Sequence, residues 1–188
     1  GERGSVSGLE VGTAPRAVLR HLPAVHAQRT RLKVAMPFYL RDSLRNKRPD
    51  WVDENDPLFI TLCHQHRKVR HFDNPTSWAA ILSATNHLAA QDKWTPIMML
   101  AMPDHIHGVV VIPHANRIQQ TIGSFKRDIG HSWPTHWQRD AFDHRIRNYD
   151  QLQEIRAYIR ANPVSAGFIA RAEDWAYAAE WPHMQNAP

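Results

Sequence analysis

The chain has 188 residues, of which 43% are hydrophobic and 22% charged, and its formal net charge is +5. This length suits one domain with a substantial core plus an extension, and it is short for two ordinary domains. No stretch approaches the roughly 20 apolar residues of a membrane span, and the single cysteine, Cys63, excludes an internal disulfide, so we expect a protein of the reducing cytoplasm without a membrane partner.

The first part of the chain carries the excess positive charge. Residues 1–50 contain ten Lys and Arg against four Asp and Glu, whereas residues 51–188 contain 13 against 14. Residues 1–30 mix Gly, Ser, Pro and Arg without a sustained period, which predicts an irregular or mobile segment. We expect residues 31–188 to form a single domain.

The first elements predicted after residue 50 are a strand and a helix. The run Leu58–Cys63 is short, β-branched and aromatic, and it stands between Asp56-Pro57 and a charged run, which predicts a central strand. From Thr76 onward apolar residues recur at three- and four-residue steps behind the helix-start signal Asn74-Pro75. This spacing predicts an amphipathic helix that packs on a sheet.

A hairpin and two more helices complete the pattern. The apolar runs Ile97–Met102 and Gly108–Ile112 flank residues 103–107, as in an antiparallel strand pair. Helices are predicted from about residue 116 and over about residues 150–161, and Pro163 is expected to stop the second because the residue before a proline avoids the helical region. The order strand, helix, strand, strand, helix, helix predicts an α+β sandwich, an antiparallel central sheet with helices packed on it.

His105 and His107 form the first candidate site. If His105 begins the second strand of the hairpin, alternation places both imidazoles on one face, about 6 to 7 Å apart along the chain, with Ile106 on the other face. Two imidazoles on one face are able to bind one metal ion. The alternative is a metal-free structural domain in which the histidines only fill a turn, because a chain with 13 histidines produces His-x-His by chance. Asp104 beside the pair either orients an imidazole or caps the turn.

Tyr158 and Asn162 form the second candidate site. Residues four apart share a helix face, so these two lie one turn apart at the margin of an apolar stripe that contains Ile155 and Ile159. A phenol and a carboxamide are thus able to converge on one site. The alternative is packing, because a tyrosine that borders an apolar stripe usually belongs to the core and asparagine before proline is an ordinary helix end.

Together, the segments Met102–His107 and Tyr158–Pro163 resemble the paired signatures of REP-associated tyrosine transposases, which are single-tyrosine HUH transposases. Supporting segments stand in the expected order: Phe59–Cys63, Lys126, Trp137-Gln138, Phe142–Arg147 and Asn162–Gly167. The resemblance spans about residues 57–182. Residues 1–30 have no counterpart, and Glu173–Tyr177 lacks the serine pair often seen after the tryptophan.

The resemblance implies an HUH-type fold, a ferredoxin-like, RRM-like sandwich, and an enzyme that cleaves and rejoins DNA. It implies that His105 and His107 supply two metal ligands, that Asn162 supplies a third, and that Tyr158 is the nucleophile that forms a 5′-phosphotyrosine link. It also implies magnesium or manganese as the cofactor, whereas the softness of two imidazoles favours manganese or zinc, so manganese satisfies both arguments. The implied partner is single-stranded or hairpin-forming repeat DNA, bound by a monomer or a homodimer.

Three basic residues and three tryptophans are candidates for contacts with DNA. Lys126, Arg127 and Arg145 are candidates for phosphate contacts, because they lie off the apolar face of the second helix or in the basic stretch before the third. The alternative is a solvated charged surface. Trp137 is a candidate stacking platform for exposed bases, and its alternative role is to anchor a helix to the sheet. The other candidate platforms are Trp133 and Trp175.

Two other functions are open at this point. A rolling-circle initiator or relaxase-like nickase uses the same His-hydrophobic-His arrangement, although the context Tyr-Ile-x-x-Asn-Pro favours the transposase. A domesticated, non-catalytic protein that binds hairpin DNA would keep the fold alone. The presence of every expected active-site residue argues against it.

Overall fold

A computed structural model describes residues 56–139 and 141–182 of the chain. The elements in chain order are β1 Leu58–Cys63, α1 Pro75–Ala90, β2 Thr95–Met102, β3 His105–Val111, α2 Ile118–Ser132, β4 Phe142–Arg145, α3 Tyr149–Ser165 and β5 Ala178–Glu180. The irregular segment predicted over residues 1–30 lies outside the described residues. No helix in the described ranges is long and apolar enough to cross a bilayer.

The strands form one antiparallel sheet in the order β4-β1-β3-β2-β5. The predicted fold class, α+β with helices packed on an antiparallel sheet, is confirmed. The edge strands β4 and β5 were not predicted from the sequence. Both are short, with four and three residues, and neither contains a buried side chain, so they lack the apolar alternation that marks a strand in sequence.

Alternation along the central strands gives the sheet two apolar faces. Ile60 and Ile106 belong to the core under α1 and α2, whereas Phe59 and Val109 belong to the core under α3. Because β3 begins at His105, both His105 and His107 share the face of Val109. The sheet therefore presents the histidine pair to α3, the helix that carries Tyr158.

Helix α3 continues through Pro163 to Ser165, so the prediction that this proline stops the helix is wrong. Proline lacks the N–H that would bond four residues back, and so close to the end of the helix this removes only one bond. Gly167 ends the helix instead, with a left-handed φ of 77°, while the N–H of Phe168 bonds to the carbonyl of Pro163. Tyr158 and Asn162 therefore lie on one continuous helix.

An ion-pair cluster fastens α3 to the edge strand β5. Nε and Nη2 of Arg160 donate to the two carboxylate oxygens of Glu180 at 2.7 and 2.6 Å, and Arg156 donates to the same carboxylate. Burial acts to raise the pKa of Glu180, but the hydrogen bonds from Arg156 and Arg160 outweigh it and hold the pKa below its ordinary value. Strand β5 pairs with β2 in turn, so the cluster ties the tyrosine helix to the sheet.

We expect Glu180→Gln to loosen α3 without unfolding the protein, because a neutral amide accepts weaker hydrogen bonds from the two guanidinium groups. The three side chains are partly exposed, so the loss in free energy of unfolding is about 1 kcal/mol. Hydrogen exchange of the α3 amides and denaturant unfolding measure the effect. Asp174→Asn is the matched control, since it removes a more exposed ion pair with Arg171; equal exchange of α3 in both variants would contradict the prediction.

Candidate functional site

His105 and His107 lie side by side beneath α3. Their Nε2 atoms are 3.1 Å apart, and their rings are nearly perpendicular with centroids 4.6 Å apart. His107 is buried, with 3% of its surface exposed. The two ε nitrogens therefore approach the same point.

Both imidazoles are oriented through their other ring nitrogen. The carboxylate of Asp104 lies 2.6 Å from Nδ1 of His105, and the hydroxyl of Thr61 lies 2.9 Å from Nδ1 of His107. Thr61 stands directly opposite His107 in the pairing of β1 with β3. Oxygen partners of this kind set the tautomer and the ring orientation of metal-binding histidines.

Asp104 is ionised near neutral pH. Burial acts to raise its pKa, but the hydrogen bond and charge of His105, together with the charge of Arg67, bring the pKa below its ordinary value. Nε of Arg67 lies 3.4 Å from the carboxylate. Because an ionised carboxylate only accepts, Nδ1 of His105 carries the hydrogen, which leaves a lone pair on Nε2 of a neutral His105 ring.

His107 is neutral at the same pH. Burial holds the pKa of His107 well below its ordinary value, and the charges of His105 and Arg67 act in the same direction. A hydrogen bond with Asn162 acts against them but does not reverse the shift. Neutral imidazole is the form that binds a metal ion.

Tyr158 and Asn162 meet the histidine pair from α3. The ring centroid of Tyr158 lies 5.9 Å from that of His107 and 6.2 Å from that of Phe59, edge-on to both. Asn162 interacts with His107, and its amide nitrogen lies 3.4 Å from the carbonyl oxygen of Tyr158. The structure thus brings the four residues of both motifs together within one chain.

The donor atoms fit one divalent cation. Two ligand bonds of about 2.1 Å separate their donors by about 3.0 Å at a right angle and about 3.4 Å at a tetrahedral angle, and the two Nε2 atoms are 3.1 Å apart. Within residues 56–139 and 141–182, no group of three or more His, Cys, Asp and Glu is placed to hold an ion. Asn162, which has a hydrogen bond with His107 from α3, offers its amide oxygen as the candidate third donor. Three protein ligands leave coordination positions of an ion open for a substrate.

The ring nitrogens of His105 and His107 also have hydrogen-bond partners when no cation is bound. One Nε2–H then donates to the other ε nitrogen, and the hydroxyl of Thr61 donates to Nδ1 of His107 instead of accepting from it. A threonine hydroxyl can rotate between these two roles. Binding of an ion therefore requires a change of tautomer but no rearrangement of the rings.

Trp137 and Lys126 form a packed unit, and Trp137 packs against the core under α1 and α2, on the face of the sheet opposite the histidine pair. Trp137 stacks on buried Phe72, with centroids 5.1 Å apart and an interplanar angle of 19°, and its Nε1 donates to the carbonyl of Lys126. Nζ of Lys126 donates to the carbonyl of Gln138 and lies 5.8 Å from the ring centroid of Trp137. One face of the indole is covered, so this geometry favours the anchoring role over base stacking.

The other predicted DNA contacts differ in how much charge they present. Arg145 pairs with Asp56, and 22% and 16% of the two side chains are exposed. Arg127 is exposed and donates to the hydroxyl of Ser124 on its own helix at 2.9 Å. Arg127 is therefore better placed than Arg145 to meet a phosphate.

Thr61 and Arg67 belong to the site but were not singled out in the sequence. Thr61 is a polar residue in an otherwise apolar strand, and pairing that strand with the His105–His107 strand would have indicated its role. Arg67 offered no such signal, because it reaches Asp104 from a loop whose course the sequence does not predict.

Comparisons with solved structures give likenesses in fold. No protein-family model and no curated protein matches the sequence. The structure of a REP-associated tyrosine transposase bound to a REP hairpin is similar with a TM-score of 0.60 and 18% identity, over 70% of this chain and 81% of that one. A candidate transposase from Deinococcus radiodurans has a TM-score of 0.41 and 14% identity, over 60% of this chain and 94% of that one. The first likeness shows a shared fold, and the second is too distant to support an argument.

Proposed function

We propose that this chain is a metal-dependent, single-tyrosine transposase that cleaves and rejoins single-stranded DNA beside hairpin-forming repeats. The observation that carries the proposal is the meeting of His105, His107, Tyr158 and Asn162 in one place, although the two motifs are far apart in the sequence. The fold shared with a hairpin-bound transposase supports the same conclusion.

In this proposal His105 and His107 hold the cation, with Asn162 as a third ligand. The cation, when bound, withdraws charge from the oxygens of the scissile phosphate. Two imidazoles and an amide suit manganese, and magnesium is the other candidate. Asp104 and Thr61 hold the two imidazole rings in orientations that direct both Nε2 atoms to the same position.

Tyr158 acts as the nucleophile. Its phenolic oxygen forms a bond to phosphorus, the bond from phosphorus to the 3′ oxygen breaks, and that oxygen gains a proton in place of the one that the phenol loses. The products are a 5′-phosphotyrosine and a free 3′-hydroxyl. Attack by a DNA 3′-hydroxyl reverses these changes, so rejoining needs neither water nor a nucleotide energy source.

The substrate we propose is a DNA hairpin with a single-stranded flank. Tyr158 lies on α3, which packs over the histidine pair, so the DNA strand that it attacks must be unpaired to reach it. The bases of an unpaired strand also offer faces for stacking. All four site residues come from one copy of the chain, so a monomer already holds a complete set, and a homodimer is equally compatible. We place the activity in the cytoplasm, together with its DNA substrate.

We expect the protein to bind a hairpin with a single-stranded flank about tenfold or more tightly than a blunt duplex of matching length, because only the flank offers unpaired bases. Fluorescence anisotropy with labelled DNA at fixed salt measures the ratio. Equal affinity for the two molecules would count heavily against the proposed substrate.

A covalent-adduct assay separates the proposal from its alternatives. The protein is incubated in manganese with single-stranded DNA from the repeats that flank its own gene, and the products are run on a denaturing gel. The proposal predicts a denaturant-resistant protein–DNA band. Binding without this band would indicate a non-catalytic hairpin-binding protein, and a band formed on origin-like DNA but not on the repeats would favour the nickase.

A further inference from the structure

A basic surface adjoins the site, and apart from Arg67, which contacts Asp104, its residues have no role in the chemistry above. It consists of residues 65–71, which lie in the loop between β1 and α1, and of Phe168 in the turn that follows α3; we refer to it as the loop–turn surface. Residues 65–71 include Arg67, Lys68 and Arg70 and no acidic residue, and Asp73 follows them in the same loop. Residues 65–70 are all exposed.

Arg70 and Phe168 connect the two parts of this surface. The guanidinium carbon of Arg70 lies 5.3 Å from the ring centroid of Phe168, within cation–π range. Both remain accessible, with 66% of the Arg70 side chain and 41% of Phe168 exposed. Exposed aromatic rings beside cations are the means by which proteins hold single-stranded nucleic acid, since the ring stacks on a base and the cations meet phosphates.

Residues 65–71 retain positive charge after their ion pairs with Asp104 and Asp73 are counted. Arg67 pairs with Asp104, and Arg70 pairs with Asp73. Lys68 is exposed and belongs to none of the ion pairs found in residues 56–139 and 141–182. The surface therefore offers one cation without a carboxylate partner in the described ranges and two that are only partly neutralised.

The loop–turn surface touches the site from both sides. Arg67 contacts the carboxylate of Asp104, which holds His105. On the other side, the N–H of Phe168 bonds to the carbonyl of Pro163, the residue after Asn162. A strand that lies on this surface therefore passes next to the histidine pair and the last turns of α3.

We infer that the loop–turn surface binds the single strand that flanks the hairpin, with Phe168 stacked on a base and Lys68 and Arg70 on neighbouring phosphates. This contact leads the scissile phosphate toward Tyr158. The inference rests on the proposed function and specifies how its substrate is held.

The test compares binding of three labelled hairpins, one blunt, one with a 5′ flank and one with a 3′ flank of about six nucleotides. Phe168→Leu removes the aromatic face but keeps an apolar side chain against Trp175. Its matched control is Tyr149→Leu, at the opposite end of α3, where the ring is 66% exposed. Lys68→Gln is paired with Arg117→Gln, an exposed position at the start of α2, beyond the far end of β3.

We expect Phe168→Leu to weaken binding of one flanked hairpin about fivefold or more, while binding of the blunt hairpin and both control variants stay at wild-type values. Lys68→Gln should lower the salt dependence of flanked-hairpin binding by about 0.7 in the logarithmic slope, the value of one single-strand phosphate contact. Thermal unfolding of each variant shows that the fold is kept.

Two results overturn the inference. One is that Phe168→Leu and Lys68→Gln bind both flanked hairpins as tightly as their control variants do. The other is an equal loss on blunt and flanked hairpins, which would place the contact on the hairpin itself. The covalent adduct of the wild type tests the proposed function separately. If the wild type forms the adduct but the variants bind DNA like their controls, only the present inference fails. If binding of flanked hairpins depends on Phe168 but no adduct forms, only the transposase chemistry fails.

Discussion

Tyr158→Phe is expected to abolish DNA cleavage and the covalent adduct while fold and hairpin binding stay close to those of the wild type. The change removes only the phenolic oxygen, and phenylalanine keeps the edge-on ring contacts with His107 and Phe59. Removal of a covalent nucleophile lowers turnover by roughly 10⁴- to 10⁶-fold. Single-turnover cleavage of a labelled hairpin in manganese, with anisotropy as the binding readout, measures both properties.

The other tyrosines are the controls for this variant. Tyr149 is exposed at the first residue of α3, and Tyr177 lies beyond the helix against Trp175. Phenylalanine at either position should spare the reaction. A denaturant-resistant adduct in the Tyr158→Phe protein would show that another residue is the nucleophile.

The second large effect is expected at the histidine pair. His105→Ala and His107→Ala should each lose metal-dependent cleavage, because each removes one of the few ligands that we propose for the metal. Asn162→Ala should impair cleavage less completely, since a water molecule can replace a neutral ligand. Cleavage rates over a manganese titration, together with calorimetric metal binding, provide the ranking. Equal cleavage by the wild type in excess chelator would contradict the assignment of a metal.

Two kinds of variant separate metal binding from loss of fold. His87→Ala is the control for histidine removal, because His87 is exposed on α1 and paired with Asp128. Thr61→Val keeps the shape of the side chain but removes the oxygen partner of Nδ1 in His107. Loss of such a partner weakens metal affinity about 10- to 100-fold, so Thr61→Val should raise the manganese requirement while cleavage at saturating metal is largely kept.

The fold class could be predicted because the central strands and helices have recognisable patterns of apolar residues. Leu58–Cys63 and the two hairpin runs are apolar enough to be recognised as strands, and α1 shows a helical period behind its Asn74 cap. The edge strands escaped prediction because four and three residues with no buried side chain carry no periodic signal. The predicted end of α3 before Pro163 is wrong because a proline in the last turns of a helix removes only one backbone hydrogen bond, and the helix ends instead at the left-handed turn of Gly167.

The candidate site could be predicted only in part. The alternation of β3 was enough to place His105 and His107 on one face of the sheet, and four-residue spacing placed Tyr158 and Asn162 on one face of a helix. The resemblance was needed to join the two pairs into one site. The tertiary contacts of the candidate DNA-binding residues could not be predicted. No sequence pattern indicates that Arg145 pairs with Asp56 or that Trp137 stacks on Phe72. Contacts of this kind join residues from distant segments, and no local pattern encodes them.

Mass spectrometry of the protein–DNA adduct tests the central claim most directly. Wild-type protein is incubated in manganese with a flanked repeat hairpin, the adduct is digested with protease and nuclease, and the modified peptide is sequenced. The account predicts a nucleotide joined through a 5′ phosphate to the phenolic oxygen of Tyr158, formed in manganese and absent in excess chelator. A phosphodiester link to any other residue, or an adduct that forms equally well in chelator, would contradict it.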